Sequence, residues 1–242
     1  MTTDHAIYSA ITRARQEVCS MHASLVDNGL VAWTSGNISA RVAGAGPGGT
    51  DLMVIKPSGV AYEDLTPDSM VLCDLDGNPV EHLDDHAVEQ EFSPSSDAAT
   101  HAYVYRHMPE VGGVVHTHST YATAWAARGE AVPCVITAMA DEFGGEIPLG
   151  PFALIGSDEI GRGIVSTLTG HRSPAVLMHR HGVFTIGRTA RDAVKAAVMC
   201  EDAARTVHLA RAYGELTPLD QEQVDALHRR YTQEYGQRPK GM

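Results

Sequence analysis

The apolar residues of this chain change period several times, and that alternation limits the folds open to it. Ile7, Ile11, Ala14, Val18, Met21 and Leu25 recur at helical spacing until Asn28 and Gly29 supply a stop signal, which predicts a first helix. "NISARV" and "DLMVIKPSG" read as strands joined by the Gly-rich loop "AGAGPGGT", and "SMVLCDLDGNPVE" reads as a hairpin around Asp76 and Gly77. Ser95 or Ser96 is placed to cap a helix through "DAATHAYVYRHM". "GGVVHTH" is a strand, and Ser119 or Thr120 is placed to cap a helix through "YATAWAARG". A second hairpin, "PAVLMHRHGVFTIG", precedes the long amphipathic helix "ARDAVKAAVMCEDAARTVHLARAYG" and a helical tail from Leu219 to Tyr235. The expectation is a mixed α/β chain with helices covering a sheet, folded as one domain over residues 1–242.

Composition narrows the function. With 18 Lys and Arg against 30 Asp and Glu, the net charge is −12, and no basic run follows a phosphate backbone, so nucleic acid is not the expected partner. No apolar run approaches the ~18 residues of a membrane span and the N-terminus carries no leader pattern, so the expectation is no membrane partner and a cytoplasmic location. Cys19, Cys73, Cys134 and Cys200 are scattered and read as reduced structural thiols, which leaves histidine and carboxylate to hold any metal.

Side chains two apart on a strand share a face, so His116 and His118 of "GGVVHTHS" aim at one point, ~7 Å apart along the chain. "LMHRHGVF" supplies His179 and His181, also two apart, beside Gly182, which lets the backbone turn or approach closely. One of these two completes a group of three imidazoles, the donor set of a catalytic divalent metal with an open position. Three short stretches, "TSGN" (34–37), "KPSG" (56–59) and "PSSD" (94–97), combine turns, hydroxyls and one lysine, and together form a candidate anion cradle.

The ordered set "TSGNIS", "KPSGVAYEDLTPDSMVLCDLDG", "PSSDAATHAYVYRHMPEVGGVVHTHS" and "HRHGVF" resembles the class II aldolase and L-ribulose-5-phosphate 4-epimerase family over roughly residues 10 to 237. The resemblance implies a central, mainly antiparallel sheet between helical layers, a homotetramer and a Zn2+ site at the subunit interface. It implies His116, His118 and His181 as ligands, with His179 structural or behind the ligands. It also implies a phosphorylated sugar as substrate, its phosphate held by Asn37, Ser58, Gly59, Ser95 and Ser96 with Ser35, Gly36 and Lys56 beside them.

Asp97 stands where the aldolases resemble one another in carrying glutamate and the 4-epimerases carry aspartate. The resemblance therefore implies a carboxylate that completes or flanks the metal shell, although a plain helix cap is compatible with the same position. Asp141 in "TAMADEFGGEIP" and Tyr235 in "YGQ" match the epimerase proton-transfer residues, contributed by a neighbouring subunit. Without the resemblance they read as a turn residue and a chain end. Thr120, Tyr121 and "MADEFGG" depart from the epimerase pattern. The expected activity is a metal-dependent L-ribulose-5-phosphate 4-epimerase working by retro-aldol cleavage. The alternatives are a class II aldolase acting on a ketose 1-phosphate such as L-fuculose 1-phosphate, and a non-catalytic scaffold like the adducin head domain.

Overall fold

The computed structural model describes residues 2–83 and 86–234. Helix α1 (Thr2–Asp27) opens the chain. The strands are β1 (Asn37–Val42), β2 (Leu52–Ile55), β3 (Val71–Cys73), β4 (His82–Leu83), β5 (His86–Ala87), β6 (Gly113–Thr117), β7 (Leu149–Gly150), β8 (Ala175–Met178) and β9 (Gly182–Gly187). The remaining helices are α2 (Ala98–His107), α3 (Thr120–Arg128), α4 (Thr137–Phe143), α5 (Glu159–Leu168), α6 (Ala190–Arg211) and α7 (Gln221–Glu234). Seven strands form one sheet in the order β3-β2-β1-β6-β9-β8-β7, while β4 and β5 pair separately. Every pairing in the large sheet is antiparallel except β7 with β8.

Strand alternation sorts the core into two faces. Ile38, Ala40, Val54, Leu72 and Val115 point toward α1 and α6 and pack with Ile11, Val18, Leu25 and Ala193. Met53, Ile55, Val114, Val176 and Phe184 point the other way, onto Ala102 and Tyr105 of α2 and Ile160 and Ile164 of α5. Farther along the first face, Leu177 and Val183 meet Trp125, Phe143, Cys200 and Val224 from α3, α4, α6 and α7. Each face thus removes a full row of side chains from water, about 1.5–3 kcal/mol per large aliphatic residue. The four cysteines are free, and no helix among the described residues is long and apolar enough to cross a membrane.

Some local expectations give way to tertiary contacts. The strand expected through "DLMVIKPSG" ends at Ile55, and the "SMVLCDLDGNPVE" hairpin reduces to β3 with a single bridge from Cys73 to Pro79. Neither Ser95 nor Ser96 is the cap of α2; that position belongs to Asp97, whose side chain makes no capping bond. Ser119 precedes α3 as expected but does not cap it with its hydroxyl. The Glu201 carboxylate, arriving from α6, accepts the Tyr121 and Ala122 N–H groups at 2.9 Å each instead, a negative charge at a helix N-terminus. Asp141 lies within α4, not in a turn.

Candidate metal centre and anion cavity

Local architecture brings the histidines together. His116 is the fourth residue of β6 and pairs with Phe184 of β9, so the strand register carries His181, next to the start of β9, to the same sheet end. The β8–β9 connection is tight: His181 N–H donates to Met178 carbonyl at 3.0 Å, and Arg180 adopts φ +58° between them. His118 follows β6 by one residue and swings its ring back, leaving its Nε2 3.0 Å from His116 Nε2. The nitrogens of His116, His118 and His181 all lie within 4.8 Å of one another. Two imidazole nitrogens on one tetrahedral ion stand about 3.3 Å apart, so the spacing fits a shared cation.

Protonation supports the same fit. His116 Nδ1–H donates to the Val183 carbonyl at 2.9 Å, which leaves the Nε2 lone pair facing His118. Burial lowers the His116 imidazole to about 4, so it is neutral at neutral pH. Burial also lowers His181, with His118 adding to the effect, and His181 Nδ1 is buried without a partner among the described residues. Phe184 stacks on His116 at 4.1 Å and stiffens the ring from behind. His179 stays outside this group: its ring packs at Gly129, where an added Cβ would lie 3.0 Å from Nε2.

The same histidines line a cavity of about 330 Å³ with Thr34, Ser35, Gly36, Asn37, Lys56, Pro57, Ser58, Gly59, Ser95, Ser96, Asp97 and Ile155. All three stretches read from the sequence as an anion cradle therefore open onto the space that the three histidines face. Backbone contacts lock them to one another. Pro57 bridges Pro94, Ser58 N–H donates to Ser93 carbonyl, and Ser95 N–H donates to Lys56 carbonyl. Gly36 has φ +83°, and a Cβ there would stand 2.9 Å from the His116 carbonyl, so only glycine seats the first loop against β6.

Asp97 is 6% exposed and its Oδ2 accepts a 2.7 Å bond from Asn37 Nδ2. Burial pushes this carboxyl up, but the facing His116 and His101 rings, the Asn37 amide and His181 outweigh it and hold it below the usual carboxylate range. Its side chain is turned to the site instead of to the helix it precedes. Ser95 Oγ accepts from Asn37 Nδ2 at 3.0 Å and from Asp97 N–H at 3.3 Å, so its own hydrogen is left to donate elsewhere. Ser96 is exposed at the cavity. Ser96→Ala is expected to raise KM for a phosphorylated sugar by on the order of 10- to 100-fold, the value of roughly 1.5–3 kcal/mol for one bond to a charged oxygen. Steady-state kinetics on the phosphorylated and the free sugar provide the check, because equal losses on both would make Ser96 a structural residue only.

Lys56 has a different part from a simple phosphate donor. It is 1% exposed, and its ammonium donates to the carbonyls of Thr34, Pro57 and Val60 at 3.3, 3.3 and 2.9 Å, which uses its three protons to tie two loops together. Its positive charge still lies at the cavity wall. Burial lowers it from 10.5 to about 8. The charge is therefore present at neutral pH and lost as pH rises through about 8. Between that value and 10.5 the unfolded chain binds more protons, so the fold gains stability with rising pH over this window. KM for a phosphorylated sugar is expected to climb between pH 7 and 9 without unfolding, and pH-resolved kinetics of Lys56→Gln should lack that rise.

Two supports had no signal in the sequence. His22, 2% exposed on α1, accepts the Ile38 N–H at 3.2 Å while its Nδ1–H donates to Val18 carbonyl, pinning the start of β1 next to Asn37. Tyr62 donates to the Ser35 carbonyl at 2.7 Å and braces the 34–36 loop. Asp141 is not among the described residues lining the cavity; its carbonyl accepts from His228 Nδ1 at 3.0 Å and its Oδ1 is buried without a partner. Tyr235 lies outside the described residues.

Comparison with known proteins agrees with this geometry. Residues 16–208 match the profile of the Class II Aldolase and Adducin N-terminal domain family. The chain is 41% identical over 218 residues, 86% of its length and 90% of the relative's, to the L-ribulose-5-phosphate 4-epimerase UlaF of Salmonella paratyphi B. Among solved structures, an L-fuculose 1-phosphate aldolase superposes with TM-score 0.78 at 25% identity, covering 91% of this chain and 96% of the other. An L-fuculose 1-phosphate aldolase from Glaciozyma antarctica superposes with TM-score 0.73 at 18% identity, covering 92% and 83%, a likeness of fold. With its antiparallel sheet, its three convergent histidines and a profile match across most of its length, the chain belongs to the class II aldolase and adducin N-terminal domain family.

Proposed function

We propose that this protein is a divalent-metal-dependent sugar-phosphate 4-epimerase acting on L-ribulose 5-phosphate, with residues 1–242 working as one domain. One observation carries the reading: the histidine cluster, Asp97 and all three anion-cradle loops line a single cavity. The 41% identity to a protein named as such an epimerase supplies the substrate. Three imidazoles with an open position suit Zn2+ best among common divalent ions.

A divalent ion held by His116, His118 and His181 would polarise the ketone and adjacent hydroxyl oxygens of the sugar, which makes the C3–C4 bond breakable. The chain supplies the rest. Ser58, Gly59, Ser95 and Ser96 keep the phosphate of the aldehyde fragment in place, with Asn37, whose two amide protons go to Ser95 and Asp97, holding those two side chains beside it, while Lys56 adds charge from behind the loops. Asp97 serves the ion site from its place between cradle and histidines. Because the fragment stays anchored by its phosphate, it can turn and be attacked on its other face, which inverts C4.

Asp141 and Tyr235 are the proposed proton carriers, one for each face, delivered by a neighbouring subunit of a homotetramer. Asp141 does not line the cavity of its own chain, so this role requires such sharing. The test is product analysis by NMR with L-ribulose 5-phosphate and with L-fuculose 1-phosphate. Inversion at C4 of the first is expected; release of free fragments without inversion makes the protein an aldolase. Tyr235→Phe is expected to lower epimerisation by about 10²-fold or more with metal content unchanged. Mixing its chains with His118→Ala chains should recover part of the activity in hybrid assemblies.

A further inference from the structure

Beneath the cavity lies a buried polar chain that the reaction described above does not use. His101 stands one turn into α2, and its N–H donates to the Asp97 carbonyl at 2.9 Å, so the two side chains sit at neighbouring i and i+4 positions. The ring is fully buried. Its Nδ1 is 2.7 Å from Ser39 Oγ, and that oxygen is 2.7 Å from the buried Tyr105 hydroxyl. Its Nε2 is buried and has no hydrogen-bond partner among the described residues.

Two hydroxyls and one imidazole in a row have only two directions of donation. If Ser39 gave its proton to Tyr105, the Tyr105 hydrogen would have no acceptor in this row, and the His101 Nε2 would carry a lone pair in the field of the Asp97 carboxylate. In the opposite direction Tyr105 donates to Ser39 and Ser39 donates to His101 Nδ1. Both hydroxyl protons then have acceptors within the row, and the imidazole hydrogen must sit on Nε2, in the field of Asp97 and free to donate. Asp97 is the carboxylate acting most strongly on this ring, and its Oδ2 is already taken by Asn37.

We propose that His101 is a positioning residue whose neutral Nε2–H acts as the donor that orients Asp97 toward the histidine cluster when a divalent ion is held there. The tyrosine and serine below it set the tautomer, so the donor is present before any ligand arrives. This inference rests on the reading of Asp97 as a residue of the ion site. Groups behind a metal ligand in this way typically change metal affinity by about 10- to 100-fold when removed.

The experiment measures Zn2+ affinity by competition with a chromogenic chelator for the wild type, His101→Asn, His101→Gln, Asp97→Asn and the double variant His101→Asn with Asp97→Asn. Asparagine places an amide at the Nδ1 position and keeps Ser39 satisfied but offers nothing where Nε2 was; glutamine reaches that point. Thermal melts of the metal-free proteins establish that each variant is folded. The expected result is a loss of Zn2+ affinity of about 10- to 100-fold in His101→Asn, recovery of most of it in His101→Gln, and no further loss when His101→Asn is added to Asp97→Asn. Wild-type affinity in His101→Asn overturns the proposal, as does an undiminished effect of His101→Asn in the Asp97→Asn background. A wild-type protein that binds no Zn2+ instead removes the ion site itself, a result distinct from either.

Discussion

His118→Ala is expected to purify without its divalent ion and with turnover of L-ribulose 5-phosphate reduced on the order of 10³-fold or more, the several kcal/mol that charge stabilisation by a bound cation supplies. Elemental analysis should find about one ion per wild-type chain and far less in the variant. The change is a clean one because His118 lies just past the end of β6 and its residue is exposed, so removing the ring costs the core little. His116, by contrast, is stacked on Phe184 and bonded to Val183, and its removal would disturb the sheet as well. A His118→Ala protein that retains a full complement of metal and normal turnover would refute the histidine site.

Gly182→Ala is expected to have nearly as large an effect through a single added methyl group. The position has no left-handed backbone to excuse it, and it pairs in register with Met178 at the first residue of β9. What matters is the space. A Cβ at Gly182 would lie 2.6 Å from the Thr117 carbonyl, 2.7 Å from His118 Cδ2 and 3.3 Å from His116 Cε1. The first contact is to backbone and cannot be relieved by a rotamer, so β9 must move away from β6 at the end that carries the ligands. Overpacking of this kind costs typically about 1–3 kcal/mol, which the remaining strand pairs can absorb. A ligand shift approaching 1 Å, however, costs about 10²-fold in activity. Circular dichroism should find a folded protein while the chelator assay finds weakened Zn2+ binding. Wild-type Zn2+ affinity in Gly182→Ala would show that the contact is not decisive.

The two glycine constraints at the site illustrate how differently they register in a sequence. Gly182 stands between a histidine and a strand and reads at once as a turn or a close approach; the structure selects close approach. Gly36 reads only as part of a turn-rich run, and its reason, the His116 carbonyl at 2.9 Å from an absent Cβ, belongs to a strand about 80 residues away.

Local order determined what could be read in advance. Strand period placed His116 and His118 on one face, helical period marked α1, α2, α3 and α6, and the turn chemistry of three short runs marked the cradle, because each signal is carried by residues within a few positions of one another. Helices α4 and α5 were not marked. α4 is seven residues long, too short to show a period, whereas α5 carries Ile160, Ile164 and Leu168 at helical spacing with Gly161 and Gly163, poor helix formers, between them. Helix starts are not legible locally where the partner is distant: Glu201 reaches the start of α3 from α6, and Asp97 turns from α2 to Asn37 on β1.

The sequence alone, through its periodicities and its ordered motifs, determined the mixed α/β class, the family and the pair His116 and His118, with His181 only implied by the resemblance. Tertiary structure decided that His181 and not His179 completes the cluster, because the three-residue turn at Arg180 points one ring at β6 and sends the other to Gly129. It also decided that Lys56 spends its protons on carbonyls and that His101 is buried beneath Asp97 with its Nε2 unbonded. A lysine or a histidine reads the same in a sequence whether water or a buried acceptor surrounds it, and only the packing of distant segments determines which of the two it meets.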